Sequence, residues 1–169
     1  MTVIHAGRYT AEVGDDIVVF LVGMRANRLR SFRKTRLVAS AMGPMLKRLA
    51  ADPSTGCLHT ESFYRFGPLT SITVSYWRSF EDLERFARSA DEPHLSAWRE
   101  FNRRIGTDGS VGIWHETYVV PKGSAEALYG NMPLFGLAAA TRHLPATGRR
   151  ETARRRLGGE NEPAVPTPA

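Results

Sequence analysis

The sequence predicts an α+β fold, in which helices cover one antiparallel sheet and the elements follow the order β-α-β-β-α-β. Three observations predict it. A continuous apolar run over residues 17–24 has the length and β-branched content of a buried strand. Two runs of alternating residues are separated by the turn dipeptide Gly67-Pro68, which is typical of a hairpin. Stretches with helical apolar periodicity precede and follow that hairpin.

Length and composition are those of one globular domain. The chain has 169 residues, of which 42% are hydrophobic and 24% are charged, and both fractions are ordinary. The longest apolar run is far shorter than the about 20 residues of a membrane span, and the N-terminus lacks the pattern of a secretory signal. The single cysteine, Cys57, excludes an intrachain disulfide and a cysteine-built metal centre. We therefore expect a cytoplasmic protein without membrane contact or a bound metal ion.

The first half of the chain should contain a strand and a long helix. Residues 17–24 are apolar at odd and even positions alike, so both faces of this strand should be covered. A helix should follow over about residues 31–51, where apolar residues recur at steps of four: Leu37, Ala41, Met45 and Leu49. Pro44 should kink this helix or start a second helical segment.

The hairpin should pair a strand over residues 57–66 with one over residues 69–77. One face of the second strand carries hydroxyl groups: Ser71, Thr73 and Ser75. A hydroxyl-lined interior face is unusual unless it meets water or a ligand. Trp77, which ends this face, is therefore a candidate pocket residue.

The second helical region should fall into two pieces, followed by the last strand. Ser79 should begin the first piece as its N-cap, and Pro93 is well placed as the first residue of the second piece. The last clear strand should cover residues 111–120. This order is the split β-α-β, or ferredoxin-like, arrangement.

The chain should divide into three segments. Residues 1–14 are expected to be a lead-in, and residues 15–144 to form the folded domain, with a C-terminal extension from about residue 121. Residues 145–169 are rich in Arg and Pro and lack apolar periodicity. Such a segment should be a disordered tail, because it cannot bury enough apolar surface to offset its ordering entropy.

A homodimer is expected from the first strand. The helices should cover one face of the sheet, yet residues 17–24 are apolar on both faces. A second copy of the same sheet, packed face to face, would cover the other face.

The net charge of +6 is unevenly distributed. Residues 25–36 carry six basic side chains and no acid, and a second basic cluster lies in the expected tail. A solvated surface is the simplest interpretation. Nucleic-acid binding is disfavoured because the basic clusters contain a single aromatic residue, Phe32, rather than the interleaved aromatics of a base-stacking surface. The segment over residues 25–36 could still attract an anionic substrate to a pocket mouth.

Several well-known site motifs are absent from the sequence. It has no phosphate-binding glycine loop, no dinucleotide fingerprint, no nucleophile elbow and no His-Glu-x-x-His. Nucleotide-driven chemistry and common hydrolytic mechanisms are therefore disfavoured.

Two histidines are the candidates for acid–base chemistry. His94 opens a helix and shares one helical face with Trp98 and Asn102. His115 lies in the middle of the last strand, so both histidines could line one cleft between helix and sheet. Each could equally be a structural residue, exposed at a helix start or half-buried in a strand. Pocket shape should depend on large aromatic side chains: Phe63, Tyr76, Trp77, Trp98 and Tyr118.

Four segments in the same order resemble one protein family. They are residues 74–88 (VSYWRSFEDLERFAR), 93–103 (PHLSAWREFNR), 112–118 (GIWHETY) and 129–136 (YGNMPLFG). The chain resembles the DUF4188 family, also described as fumagillin-pathway monooxygenase-like proteins, over about residues 17–140. That family is grouped with the antibiotic-biosynthesis monooxygenases in the dimeric α+β barrel superfamily.

The resemblance implies a dimeric ferredoxin-like fold with a small-molecule pocket between sheet and helices. It also implies a monooxygenase, cofactor-free by default, that deprotonates a small organic substrate, such as a phenol or a specialised metabolite, so that its carbanion reacts with dioxygen. His94 or His115 would be the base, and Asn102 and Trp98 the donors. Substrate-binding walls would come from aromatic residues: Trp77, Phe63, Tyr76 and Tyr118.

The resemblance leaves two alternatives open. Related superfamily members bind haem, and in the haem-degrading ones an axial histidine lies on the second long helix, where His94 falls in this chain. Aldoxime dehydratases, also haem proteins of this superfamily, belong to the same alternative. The second alternative is a non-catalytic dimer that binds a small molecule.

Overall fold

The computed structural model describes residues 2–89 and 93–165, with the side chains of all of these except Leu29 and residues 93–98. The chain forms two compact units, residues 18–118 and the remainder on either side. We call the first the helix–sheet unit and the second the terminal unit. In chain order, the elements are β1 (His5–Glu12), β2 (Ile17–Ala26), α1 (Phe32–Ala51), β3 (Cys57–Phe66), β4 (Leu69–Trp77), α2 (Phe80–Arg88), α3 (Pro93–Arg104), β5 (Val111–Val120), β6 (Tyr129–Met132), α4 (Gly136–Ala140), β7 (Arg142–Pro145) and α5 (Ala153–Arg156).

The helix–sheet unit confirms the predicted α+β class and element order. Its four strands are hydrogen-bonded in the order β3-β4-β2-β5, which is the ferredoxin-like arrangement. The predicted long helix is α1, with Pro44 inside it, and the second helical region is divided into α2 and α3 as expected. Of the helices in the described residues, none has an apolar stretch of the length that a bilayer crossing requires.

Strand register decides which side chains face the helices. β2 and β4 are antiparallel, with Val18 opposite Trp77 and Val22 opposite Thr73. β3 continues the sheet, with Ser62 also opposite Thr73. Because side chains alternate between faces, the helix-facing side of β4 is the predicted hydroxyl-bearing series that ends at Trp77.

A small apolar core forms where α2 packs on the sheet. Val18 and Trp77 from the strands meet Leu83 and Phe86 from α2, and the rings of Trp77 and Phe86 lie 5.5 Å apart. Ser79 caps α2 as predicted, because its hydroxyl oxygen accepts a hydrogen bond of 3.1 Å from the Asp82 backbone N–H. The cap fixes the start of α2 and thereby places its apolar face on Trp77.

The terminal unit differs from the expected lead-in. Residues 5–12 form β1, the central strand of a three-stranded sheet in the order β6-β1-β7. The Thr10 hydroxyl donates a hydrogen bond of 2.8 Å to the Ala127 carbonyl. The Gly7 N–H likewise donates one of 2.9 Å to the Asn131 side chain. These partners lie more than a hundred residues away in sequence, so a local reading could not detect this strand.

The C-terminal segment also differs from the expected disordered tail. Its described residues contain a short 3-10 helix over Gly148–Arg150 and the helical turn α5. Arg156 pairs with Glu126 at 2.7 Å, and Arg155 pairs with Glu162 at 2.8 Å. The arginines that suggested a solvated tail are thus anchored by carboxylates, one of which lies outside the segment.

Candidate substrate cavity

The helix–sheet unit contains a cavity of about 130 Å³ between the sheet and helices α1 and α3. We call it the helix–sheet cavity. Its lining comes from five elements: Val22, Gly23 and Met24 of β2, Leu37, Val38, Met42 and Met45 of α1, Ser71 and Thr73 of β4, Glu100 and Phe101 of α3, and Ile113 of β5. The lining is mostly apolar, with two hydroxyl groups and one carboxylate.

The apolar wall comes mainly from α1. Val38, Met42 and Met45 succeed one another at steps of four and three residues, so they share one helical face. Methionine side chains adapt to irregular shapes because they are unbranched and have several rotatable bonds. This wall can therefore adjust to the shape of a bound apolar molecule.

The polar wall comes from β4. The Thr73 hydroxyl lies 2.9 Å from that of Ser62, whereas Ser71 makes no side-chain hydrogen bond with another described residue. Ser75, the next hydroxyl on this face, donates to the Phe20 carbonyl at 3.1 Å and accepts from Trp77 Nε1 at 2.9 Å. Ser71 and Thr73 are thus the hydroxyl groups that can meet a molecule in the cavity.

Glu100 is the titratable group described in the cavity lining. Arg103 donates to its carboxylate at 2.7 Å, and Arg104 forms a second ion pair with it. The hydrogen bond from Arg103 is the largest influence that lowers the pKa of Glu100, and the charges of both guanidinium groups lower it further. Desolvation by burial acts in the opposite direction. Glu100 therefore stays ionised near neutral pH and is a weak base.

Of the predicted catalytic residues, the two whose side chains the structure describes, His115 and Asn102, do not line this cavity. His115 lies on the helix-facing side of β5, with its ring 5.7 Å from that of Phe20, but it is exposed and does not line the cavity. Asn102 is exposed on α3. The backbone positions of His94 and Trp98 are in α3, and their side chains lie outside the described part of the structure.

The predicted substrate-binding aromatics also lie elsewhere. Trp77 is 1% exposed and belongs to the core beneath α2. Phe63 lies opposite Ile72, and Tyr76 opposite Val19, which puts both on the face of the sheet that points away from the cavity. Tyr118 is exposed on β5, where its hydroxyl donates to Glu116 at 2.5 Å. That carboxylate raises the pKa of Tyr118.

Gly23, whose backbone lines the cavity, permits a close approach on the opposite face of the sheet. A Cβ at this position would lie 2.7 Å from the Ser71 carbonyl oxygen and equally close to the Trp114 ring. Only glycine therefore lets the Trp114 indole cross β2 at this point. Trp114 lies on the side to which the Gly23 Cβ would point, which is the face away from the cavity. Tyr118 follows Trp114 by four residues on β5 and therefore shares that face.

Sequence reasoning missed most of the cavity lining. The four-residue repeat identified Leu37 and Met45 as helix residues with a buried face, and the hydroxyl-bearing strand pointed to Ser71 and Thr73. No sequence signal distinguishes a helix face that closes fully on a sheet from one that leaves a gap. The contribution of Ile113 depends on the placement of β5 beside β2, which only the assembled sheet defines.

The described lining does not fit a haem group. Among the lining side chains that the structure describes, methionines carry the only soft donor atoms for iron, and the side chain of His94 lies outside the described part. The volume of about 130 Å³ is also below the about 300–1,000 Å³ of pockets for drug-sized ligands. A haem macrocycle would therefore need the helices to move apart.

Comparison with known proteins places this geometry in a family. Residues 17–137 match the protein family described as monooxygenase af470-like. No curated protein matches the chain significantly. Among solved structures, SnoaB, a cofactor-independent oxygenase from Streptomyces nogalater, is 11% identical with a TM-score of 0.42, over 62% of this chain and 92% of that one.

Two aldoxime dehydratase structures share the fold. The enzyme OxdRE, in complex with butyraldoxime, has a TM-score of 0.64 and 17% identity over 80% of this chain and 40% of its own. A second aldoxime dehydratase has a TM-score of 0.63 and 23% identity over 76% of this chain and 39% of its own. This chain thus spans about two fifths of the length of these dehydratases.

Proposed function

The chain belongs to the monooxygenase af470-like family, and we propose that it is a cofactor-free monooxygenase of a small, electron-rich organic molecule. The observation that carries the proposal is the helix–sheet cavity, which is largely apolar and has hydroxyl groups on one wall. Such a cavity suits an aromatic or enolisable substrate, because its ring contacts apolar side chains while its oxygen meets Ser71 and Thr73.

The proposed reaction needs no external reductant. A phenolic substrate loses its O–H proton, and the resulting enolate attacks dioxygen through a ring carbon to give a peroxide. That carbon then loses its hydrogen as the O–O bond breaks, which leaves a carbonyl oxygen on the ring and releases the second oxygen atom as water. All four electrons that reduce dioxygen come from the substrate.

The protein has to supply three things to this reaction. A dry cavity prevents protonation of the enolate, and Val22, Met42 and Phe101 provide apolar walls. Donors to the developing oxyanion stabilise it in a site that excludes water, and the hydroxyl groups of the β4 wall are placed for this role. A general base must take the first proton.

We assign the base to His94. Its position in α3 is seven residues before Phe101, or about two turns along the same helical face, and Phe101 lines the cavity. Glu100 is a weak base because its arginine partners lower its pKa. His115 remains the alternative base, since it lies on the helix-facing side of the sheet.

Oxygen uptake with a panel of hydroxynaphthalenes tests the proposal. The wild-type protein should consume one dioxygen per substrate oxidised, without added flavin, metal or haem. His94→Gln should lower kcat by about 10²–10⁴-fold, the usual contribution of a general base. His59→Gln is the matched control, because His59 pairs with Glu61 at 2.8 Å on the sheet face that points away from the cavity, and it should stay within about twofold of wild type.

Three outcomes would count against the proposal. A loss of activity in His115→Gln but not in His94→Gln would transfer the base role to His115. A Soret absorption band in the purified protein that disappears in His94→Ala would favour a haem enzyme instead. Saturable binding of the hydroxynaphthalenes without any oxygen uptake would favour a non-catalytic binding protein.

A further inference from the structure

A second concavity of about 630 Å³ lies beside the helix–sheet cavity, between the N-terminal turns of α1 and the end of α3. We call it the basic vestibule. Its polar lining is almost entirely cationic: Arg33, Lys34, Arg36 and Arg104, with Ser40. Phe32, which is 69% exposed, and Leu37 provide its apolar surface.

The vestibule adjoins the cavity at two points. Leu37 belongs to the lining of both spaces. Glu100 of the cavity forms an ion pair with Arg104 of the vestibule. A molecule that extends past Leu37 would therefore have one end among the methionines of α1 and the other among guanidinium groups.

The vestibule carries uncompensated positive charge. Lys34 is paired with Asp108, and Arg104 with Glu100. Among the described residues, neither Arg33 nor Arg36 has a carboxylate partner within ion-pair distance. The first turn of α1 contains no acidic residue, and no side chain caps its N-terminus, so the helix dipole adds to the positive potential at this end.

We propose that the molecule bound here is an apolar carboxylate. Its carboxylate group would pair with Arg33 and Arg36 in the vestibule, and its apolar body would occupy the helix–sheet cavity. A guanidinium group binds carboxylate oxygens through paired, charge-assisted hydrogen bonds, and the adjoining cavity accepts apolar groups. This inference rests on the proposed function for the identity of the substrate cavity, and it adds the charge and orientation of the substrate.

The proposal also fixes which end of the substrate reacts. With its carboxylate outside Leu37, the far end of the molecule lies toward the β4 wall. Ser71 and Thr73 would then meet the phenolic or enolic oxygen rather than the carboxylate. A substrate of this class therefore carries its acid group and its oxidised ring position at opposite ends.

Binding of a hydroxynaphthoate and of its methyl ester, measured without oxygen by quenching of tryptophan fluorescence, tests this inference. The acid should bind about tenfold more tightly than the ester at low ionic strength, in keeping with charge-assisted hydrogen bonds at a partly exposed site. Added salt should weaken binding of the acid and leave that of the ester unchanged. The double variant Arg33→Ala/Arg36→Ala should bind acid and ester with equal affinity.

Matched variants separate the charge effect from general damage. Arg88→Ala removes an exposed arginine of α2 that pairs with Glu84, and it should keep the full preference for the acid. Arg33→Lys/Arg36→Lys should keep part of it, because the charge remains while the paired geometry is lost. Thermal unfolding of each variant should match that of the wild type.

The outcomes distinguish this inference from the proposed function. Equal affinity of the wild type for acid and ester, or a preference that survives in Arg33→Ala/Arg36→Ala, would overturn the inference. So would the absence of saturable binding for hydroxynaphthoate, cinnamate and decanoate alike. A charge preference without oxygen uptake would leave the inference standing and refute only the monooxygenase. Oxidation of the ester as efficiently as the acid would refute the inference and leave the proposed monooxygenase standing.

Discussion

At the scale of single residues, Asp82 shows how one buried carboxylate joins the first turn of α2 to an arginine on either side of it in the sequence. It is only 6% exposed, and its carboxylate accepts a hydrogen bond of 2.8 Å from Arg78 and forms an ion pair with Arg85. The hydrogen bond from Arg78 is the largest influence that lowers the pKa of Asp82. The folded state holds this pKa below the unfolded value of about 3.9. The ionised Asp82 therefore contributes its full share to the free energy of unfolding above that pH, and this contribution is lost as the pH falls.

Asp82→Asn should therefore destabilise the protein at neutral pH. The change keeps the shape of the side chain but removes its charge-assisted hydrogen bonds, so the free energy of unfolding should fall by about 1–2 kcal/mol. Urea unfolding at pH 7 and pH 3 measures it, and the difference between variant and wild type should shrink at the lower pH. Glu84→Gln, in an exposed pair with Arg88, should change stability by less than about 0.5 kcal/mol. An equal effect of both variants would refute the role of Asp82.

The residues of the candidate site were only partly predictable. The hydroxyl series on β4 and the apolar repeat of α1 are visible in the sequence, and both line the cavity. Trp77, the aromatic that ended the hydroxyl series, belongs to the core because α2 packs directly on it. Alternation along a strand shows which residues share a face, but the position of the covering helix decides which of them are enclosed.

At the scale of elements, the terminal sheet contains an unusual cluster of rings. His143 on β7 stacks on Tyr9 of β1 with ring centroids 4.4 Å apart, and the His5 ring lies 4.7 Å away. Tyr129 of β6 approaches at 6.4 Å. Nε2 of His143 is buried without a hydrogen-bond partner among the described residues. Burial, and then the neighbouring His5, lower the pKa of His143.

The stability of the terminal sheet should therefore depend on pH. With a folded pKa below the unfolded value of about 6.5, stability is full above that pH and falls as His143 is forced to take up a proton. His143→Phe should make the free energy of unfolding less dependent on pH between about pH 7 and pH 5. Hydrogen exchange of the β1 and β7 amides measures this locally. An unchanged pH profile in His143→Phe would contradict the interpretation.

The elements that the sequence did not reveal are those held by distant partners. Seven elements carry their own apolar periodicity and follow the predicted order: β2, α1, β3, β4, α2, α3 and β5. β1 has no such pattern, and its ladder hydrogen bonds go to β6 and β7 near the other end of the chain. The helical turns after residue 147 depend likewise on ion pairs such as that of Arg156 with Glu126.

At the scale of the whole molecule, the sheet face that points away from the cavity bears on the expected homodimer. Large apolar side chains on this face remain accessible, with Phe63 41% and Tyr118 51% exposed. Trp114 shares the face, because its ring meets the Cβ side of Gly23. Exposed apolar surface of this kind is typical of an interaction site, and a second copy of the sheet would cover it.

Light scattering coupled to size-exclusion chromatography should give twice the chain mass of 18.8 kDa. Phe63→Glu should shift the protein toward the monomer, because a buried carboxylate at the interface would lack a partner. Phe66 is on the same strand but points to the opposite face of the sheet and is 88% exposed. Phe66→Glu should therefore leave the dimer intact. A wild-type protein that elutes at the mass of one chain would contradict the expectation.

The sequence by itself determined the α+β class, the order of the seven elements of the helix–sheet unit and the faces of its strands, because apolar periodicity and turn residues are local properties. It also carried the segments by which the family is identified. Only the tertiary structure decided where the cavity opens, that Trp77 belongs to the core, and that Leu37 separates an apolar cavity from a basic vestibule. These features depend on how far α1 and α3 stand from the sheet, a distance set by the packing of side chains that are remote in sequence.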